Sequence, residues 1–237
     1  MRGRTRFWVG WWCVCLGLGF GCVEDKQEQA RPAPDDPALV GVLFDEEGQG
    51  EAIEVPPGVY TAGVPSTDFE PPPAPNTWGR QRRVSWCWAA TAQMIVHFQG
   101  VPVVFEEVVA HLYGGFVTDP ASSVAEIAAA LDGWAGVDGA GQMRTIQASP
   151  VEVLDVTEVL GDLHFERPVM LALDGEDVPG AHTYVLSAVR YRANGFGQLL
   201  PISAELRDPW PDHPEHLTVA WSEVVARFVG YVRVDVL

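Results

Sequence analysis

Gln81-Arg82-Arg83-Val84-Ser85-Trp86-Cys87-Trp88-Ala89-Ala90-Thr91-Ala92-Gln93-Met94-Ile95 is the stretch that decides how this chain folds. It opens polar and turn-like and then becomes small and apolar, with Cys87 at the change-over. A loop running into a helix there leaves Cys87 at the helix N-terminus. Unpaired N–H groups and the positive end of the macrodipole gather at that point and stabilise a thiolate. Ala89, Ala90, Thr91 and Ala92 are small enough to let the helix pass close through the interior. Gln81 precedes the cysteine by six residues, in the loop, where its side-chain amide can help bind a developing oxyanion. The competing reading of Cys87 is a buried, inert thiol on an apolar helix.

Outward from this helix, expected over 86–98 and stopped at Gly100, a second helix is expected over 105–112, ending at Gly114-Gly115. Ser123-Val124-Ala125-Glu126 is a capping box that opens a third, to about 131. Ser149-Pro150-Val151-Glu152 reads as another capping box with Pro at the first helical position, although the Val-rich run after it reads equally as a strand. Residues 157–164 read as a short helix. The pattern then changes. Pro168-Val169-Met170-Leu171-Ala172-Leu173 is an apolar run of strand length, 181–191 is strand-like, and Asn194-Gly195-Phe196-Gly197 supplies a hairpin turn into 199–206. A strand over 218–221, a helix over 222–228 and a strand over 231–236 close the chain. Helices first and an antiparallel sheet after them make an α+β layout.

The 237 residues allow one domain of ordinary size plus a tail, and 47% hydrophobic residues with nine tryptophans supply its core. The balance of 15 Lys+Arg against 32 Asp+Glu, a formal charge of −17, excludes nucleic acid as a partner. Residues 1–22 read as an export signal: Arg2, Arg4 and Arg6 form a positive start, and an apolar run over 7–20 follows that is short for a membrane span. Gly19-Phe20-Gly21-Cys22 looks like a degenerate lipobox, which would place a lipid anchor on Cys22; ordinary cleavage near Gly21 is the alternative. Residues 23–77 are acidic and Pro-rich, as in Pro71-Pro72-Pro73-Ala74-Pro75, and read as a linker or a pro-segment; 39–44 and 53–60 are apolar enough for short strands. The compact domain is expected over 78–237. Cys13, Cys15 and Cys22 lie in the signal or at its end, so Cys87 is the only cysteine of the body. A single thiol in an exported protein is a liability unless it is used.

A thiol with ordinary pKa is only a few per cent ionised near neutral pH, so a cysteine hydrolase needs a base within reach and a group to orient it. His97 and His111 fall in the helical half, His164 near a loop, and His213 and His216 in a Pro-rich loop. His182 differs, since it heads a strand right after Gly180-Ala181, where small neighbours leave the imidazole open. Asp208 ends the next apolar run, ahead of Pro209-Trp210. The order Cys87, His182, Asp208 matches nucleophile, base and orienter, although Asp-Pro also starts ordinary turns. His213-Pro214-Glu215-His216 has metal-like residue types but no companion cysteine and Pro-rich surroundings, which argue against zinc.

The segment around Cys87 resembles the nucleophile segment of papain-like cysteine peptidases, in which a Gln precedes the catalytic Cys at this spacing and Cys-Trp-Ala opens the central helix. The C-G-[SA]-C-[WY] signature is met only by Cys87 and Trp88. The Ser-Trp-Cys-Trp-Ala-Ala-Thr form is more similar to the compact bacterial C39-like and AvrRpt2-like (C70) branch, and the 95 residues from Cys87 to His182 suit the smaller enzymes. The resemblance implies a papain-like fold, a helical half carrying Cys87 and an antiparallel sheet half carrying His182 and Asp208. It implies hydrolysis of a peptide or isopeptide-like amide by Cys87, with His182 as proton shuttle, Asp208 orienting the imidazole, and Gln81 with the Cys87 N–H as oxyanion hole. The implied partner is a peptide or protein substrate, with no cofactor and no metal. Two other functions remain open: acyl transfer on the same scaffold, as in transglutaminase-like and phytochelatin-synthase-like relatives, and an inactive binding lipoprotein.

Overall fold

Val169, Leu171 and Leu173 pack to one side of a strand, Met170 and Ala172 to the other, and all five are buried. A strand apolar on both faces needs cover on both, and that requirement sets the architecture. The structure, a computed structural model, describes residues 58–66, 79–115, 123–175, 180–194 and 196–237. Among them the elements run β1 (Val59–Gly63), α1 (Cys87–Phe98), α2 (Phe105–Tyr113), α3 (Val124–Leu131), β2 (Ala135–Val137), β3 (Met143–Val151), α4 (Val156–His164), β4 (Val169–Asp174), β5 (Ala181–Ala193), β6 (Leu199–Arg207), β7 (His216–Ala220), α5 (Trp221–Arg227) and β8 (Phe228–Val236). The strands form one sheet in the order β2-β3-β8-β4-β5-β6-β7, with β1 also paired to β5, and every pairing is antiparallel. Met94 and Ile95 of α1 and Ile127 of α3 pack with Met170, Val185 and Val232 on one face. Val159 and Leu163 of α4 and Val224 of α5 pack with Leu171, Leu186 and Tyr231 on the other. This is the expected α+β arrangement, with the helix that begins at Cys87 packed on an antiparallel sheet.

The central helix is buried all round, from Cys87 to Val96, which is why its sequence is small and apolar rather than amphipathic. Ala89, Ala90 and Ala92 are fully buried. Truncating Ile95, also fully buried, would cost about 2–5 kcal/mol. The capping box of α3 forms, Ser123 Oγ accepting from Glu126 N at 3.2 Å and Glu126 Oε2 from Ser123 N at 2.8 Å. In the β5–β6 hairpin, Asn194 Oδ1 accepts from Phe196 N and Gln198 N at 3.0 and 2.9 Å. Neither a helix start at Ser149 nor a strand over the valines after it forms: Ser149, Pro150 and Val151 end a strand begun at Met143 and pair with Arg233, Val232 and Tyr231 of β8, and 152–155 lead to the next helix. The cap of the next helix is instead Asp155, whose Oδ1 accepts from Thr157 N and Glu158 N.

The sheet also reaches upstream of residue 78. β1 pairs with β5 from Val59↔Arg192 to Gly63↔Ala188, and Val64 N donates to Ser187 O at 3.0 Å. Gly63 has φ 119°, and a Cβ there would lie 2.1 Å from Ser187 O, so only glycine allows this close approach. Arg207, fully buried, donates to Ser66 O at 3.1 Å and pairs with Glu215. All described residues belong to one compact unit. The export signal, the possible strand over 39–44 and the domain start at Trp78 lie outside the described residues.

Candidate active site

Cys87 is the first residue of α1, after Trp86 as N-cap. The first backbone bond of the helix runs from Ala90 N to Trp86 O at 3.1 Å, so the N–H groups of Cys87, Trp88 and Ala89 precede the intrahelical ladder. Thr91 anchors this turn to the sheet, its Oγ1 donating to Cys87 O at 2.8 Å and lying 3.3 Å from Thr183 Oγ1.

His182 is the second residue of β5, and Asp208 follows the last residue of β6, the neighbouring strand. Their side chains meet at 2.7 Å, His182 Nε2 to Asp208 Oδ1, both almost wholly buried. With Nε2 on the carboxylate, Nδ1 is the nitrogen left for the thiol. Tyr184 and Trp210 meet the imidazole edge-on, ring centres 4.6 and 6.0 Å away. Trp210 N also donates to Asp208 Oδ1, at 2.8 Å.

Burial alone would push the Cys87 thiol up. The hydrogen bond and charge of His182, with side-chain and backbone hydrogen bonds from Thr183, outweigh it and hold the thiol below its ordinary 9.0. Burial pulls the His182 imidazolium down, but the hydrogen bonds of Asp208 and Cys87 and their charges lift it to about 9. At Asp208 burial raises the carboxyl, and the hydrogen bond and charge of His182, with donors from Trp210 and His213, bring it below its ordinary 3.8. Each shift favours the charged form, thiolate, imidazolium and carboxylate in a row. Such a row can supply a nucleophile, carry a proton and hold the ring's orientation.

Gln81 is buried, but its amide is turned into its own loop. Nε2 donates to Arg83 O at 3.0 Å and Val84 O at 2.9 Å, while Oε1 is buried without a hydrogen-bond partner among the described residues. The structure thus brings Cys87, His182 and Asp208 together and holds the Gln81 amide on two carbonyls. Arg82, next to Gln81, pairs with Glu106 at 2.6 Å. Of the metal-like pair, His216 Nδ1 faces Ser66 Oγ and His213 Nδ1 faces Asp208 Oδ2. No cluster with metal-ligating geometry occurs among the described residues.

Three residues of this site went unassigned in the sequence. Arg80 donates to the carbonyls of Asp208 (2.7 Å), Pro211 (3.1 Å) and His213 (2.7 Å), and Gln81 N donates to Pro209 O at 2.8 Å, so the loop before the cysteine braces the loop after the aspartate. Nothing in the spacing of Arg80 signals this. Thr183, next to His182, hydrogen-bonds the thiol and lies 3.3 Å from Thr91 Oγ1, a contact between strand and helix that residue type alone does not signal. His213 is a histidine five residues after Asp208 across two prolines, and nothing in that Pro-rich stretch signals that its ring reaches the carboxylate. A cavity of about 320 Å³ opens beside His182, Trp210 and His213 and is floored by Leu173, Tyr184 and Leu206.

The sequence model of the family described as papain-like cysteine protease AvrRpt2 matches residues 75–224. No curated protein sequence matches the chain. Among solved structures, the chain is similar to the peptidase domain of Streptococcus ComA, a bi-functional ABC transporter involved in a quorum sensing pathway. The match has 12% identity and a TM-score of 0.45 and covers 66% of this chain and 95% of that one. It is also similar to a periplasmic domain of the EpsAB fusion protein of the Vibrio vulnificus type II secretion system, with 14% identity, a TM-score of 0.33, and coverage of 65% of this chain and 47% of that one.

Proposed function

Because the chain belongs to the papain-like cysteine protease family of AvrRpt2, we propose that it is an exported thiol hydrolase that cleaves a peptide or isopeptide-like amide through Cys87, His182 and Asp208. The observation that carries this reading is the buried 2.7 Å contact of His182 with Asp208, together with the lowered thiol and raised imidazole beside it. In this mechanism the Cys87 thiolate attacks the amide carbonyl carbon. The imidazolium gives its proton to the departing nitrogen, and neutral His182 then takes a proton from water, which attacks the thioester and frees the acid. Asp208 keeps the ring in register and stabilises its charged form. The Cys87 N–H, at the helix start, is one oxyanion donor; Gln81 becomes the other by exchanging one loop carbonyl for the oxyanion. Residues 1–22 serve as the export signal, with Cys22 as lipid anchor, and 23–77 hold the domain from the membrane, β1 joining its sheet.

Incubation of the purified protein with a pool of unmodified peptides, read by mass spectrometry, tests the activity. New C-termini are expected, lost in Cys87→Ala. Products capped by added hydroxylamine in place of free acids would mark acyl transfer, and an unchanged pool would point to a binding protein.

A further inference from the structure

Asp208 is held by two imidazoles, and the proposed triad uses one. His182 Nε2 is on Oδ1 at 2.7 Å, and His213 Nδ1 is on Oδ2 at 2.9 Å. The carboxylate has no solvent exposure, whereas the His213 side chain is about one third exposed. Both other contacts of this carboxylate, from His182 and from Trp210 N, fall on Oδ1. Without His213, Oδ2 would be a charged acceptor buried with no donor, and the group could turn about its Cβ–Cγ bond. The loop is built to prevent this. Arg80 donates to the carbonyls of Asp208, Pro211 and His213, His213 N donates to Trp210 O at 3.3 Å, and the Trp210 ring lies 5.8 Å from the His213 ring, tilted by 33°.

We propose that His213 is a positioning residue for the reaction at Cys87: its Nδ1–H holds Oδ2 of Asp208 so that Oδ1 stays on the catalytic imidazole. The proposal rests on the triad reading above. It requires the Nδ1–H tautomer of His213, or the doubly protonated ring. The charged groups around His213 are Asp208 and Arg80 at its loop, Asp212 and Glu215 along the chain, and Glu223 and Arg227 across the shared cavity. None of these but Asp208 bridges His213 to His182.

The test is the rate of Cys87 alkylation by iodoacetamide against pH, followed by peptide mapping in the full chain, for wild type, His213→Ala, His213→Asn and Asp208→Ala. Asparagine places a donor where Nδ1 stands and cannot take a charge. His213→Ala should move the inflection upward, part of the way to that of Asp208→Ala, and slow alkylation below the inflection about 3- to 10-fold. His213→Asn should restore the wild-type profile. If the alanine variant melts below assay temperature, His213→Phe, which keeps a ring without a donor, carries the same expectation. An inflection unmoved or moved downward in the donor-less variants, with the wild-type thiol still depressed, overturns the role of His213 and leaves the triad standing. A wild-type inflection at the ordinary thiol value overturns the triad reading and this proposal with it.

Discussion

His182 Nε2, near the start of β5, lies 2.7 Å from Oδ1 of Asp208, just past the end of β6, with both side chains buried. The contact assigns the two ring nitrogens: Nε2 to the carboxylate, Nδ1 to the thiol. It also sets the carboxylate directly behind the imidazole, whose charged form its hydrogen bond and charge favour.

Asp208→Ala should therefore lower kcat roughly 10²–10⁴-fold with a much smaller effect on KM, since the aspartate touches the base and not the substrate. Steady-state kinetics on a peptide found by the cleavage screen check this. A change confined to KM would place Asp208 in substrate binding.

Gln81→Ala should cost about 10²–10³ in kcat if the amide serves the oxyanion. It should also lower stability by about 1–3 kcal/mol, because it frees two buried carbonyls, those of Arg83 and Val84. Kinetics paired with urea unfolding separate the two losses. Lost stability with kcat intact would make Gln81 a loop brace.

Gly63→Ala should destabilise the domain by about 2–5 kcal/mol, the sum of a strained φ and a collision with the Ser187 carbonyl. The same variant probes whether residues upstream of 78 belong to the folded domain. A melting temperature equal to wild type would mean that β1 is dispensable.

The pKa directions also set how stability follows pH. His182, raised to about 9, contributes stability that is complete below 6.5 and lost as pH rises to about 9. Cys87, lowered from 9.0, contributes stability that is complete above 9.0 and lost as pH falls toward its folded value. From about 9 down to the folded value of the thiol the two slopes oppose each other, and below 6.5 His182 adds no slope of its own. The unfolding free energy of wild type, minus that of a Cys87→Ala, His182→Ala double variant, should change little just below pH 9 and should not grow on acidification below 6.5. A difference that grows as pH falls below 6.5 would contradict the charge assignment.

Much of this was legible in the sequence because it is local. A helix that must be buried all round has to be small and apolar, as 87–96 is, and strands covered on both faces have to be continuous apolar runs, as 169–173 is. The Ser123 box and the Asn194 turn are side-chain to backbone bonds within a few residues, so residue types alone announce them. Cys87, His182 and Asp208 stood out because each sits at an element boundary. What the sequence hid was long-range. Arg80 reaches carbonyls some 130 positions away, and three-residue β2 carries no periodicity to read. The Pro150 ambiguity was settled by β8, which lies far along the chain. The turned-in amide of Gln81 depends on where two carbonyls fall, which spacing does not encode.

The account turns on Cys87 being a thiolate because of His182. Iodoacetamide alkylation of Cys87 measured against pH, in wild type and in His182→Ala, tests that directly. A wild-type inflection well below the ordinary thiol value, moved up toward it in His182→Ala, is the predicted result. A wild-type inflection already at the ordinary thiol value, and untouched by His182→Ala, would make Cys87 a structural cysteine.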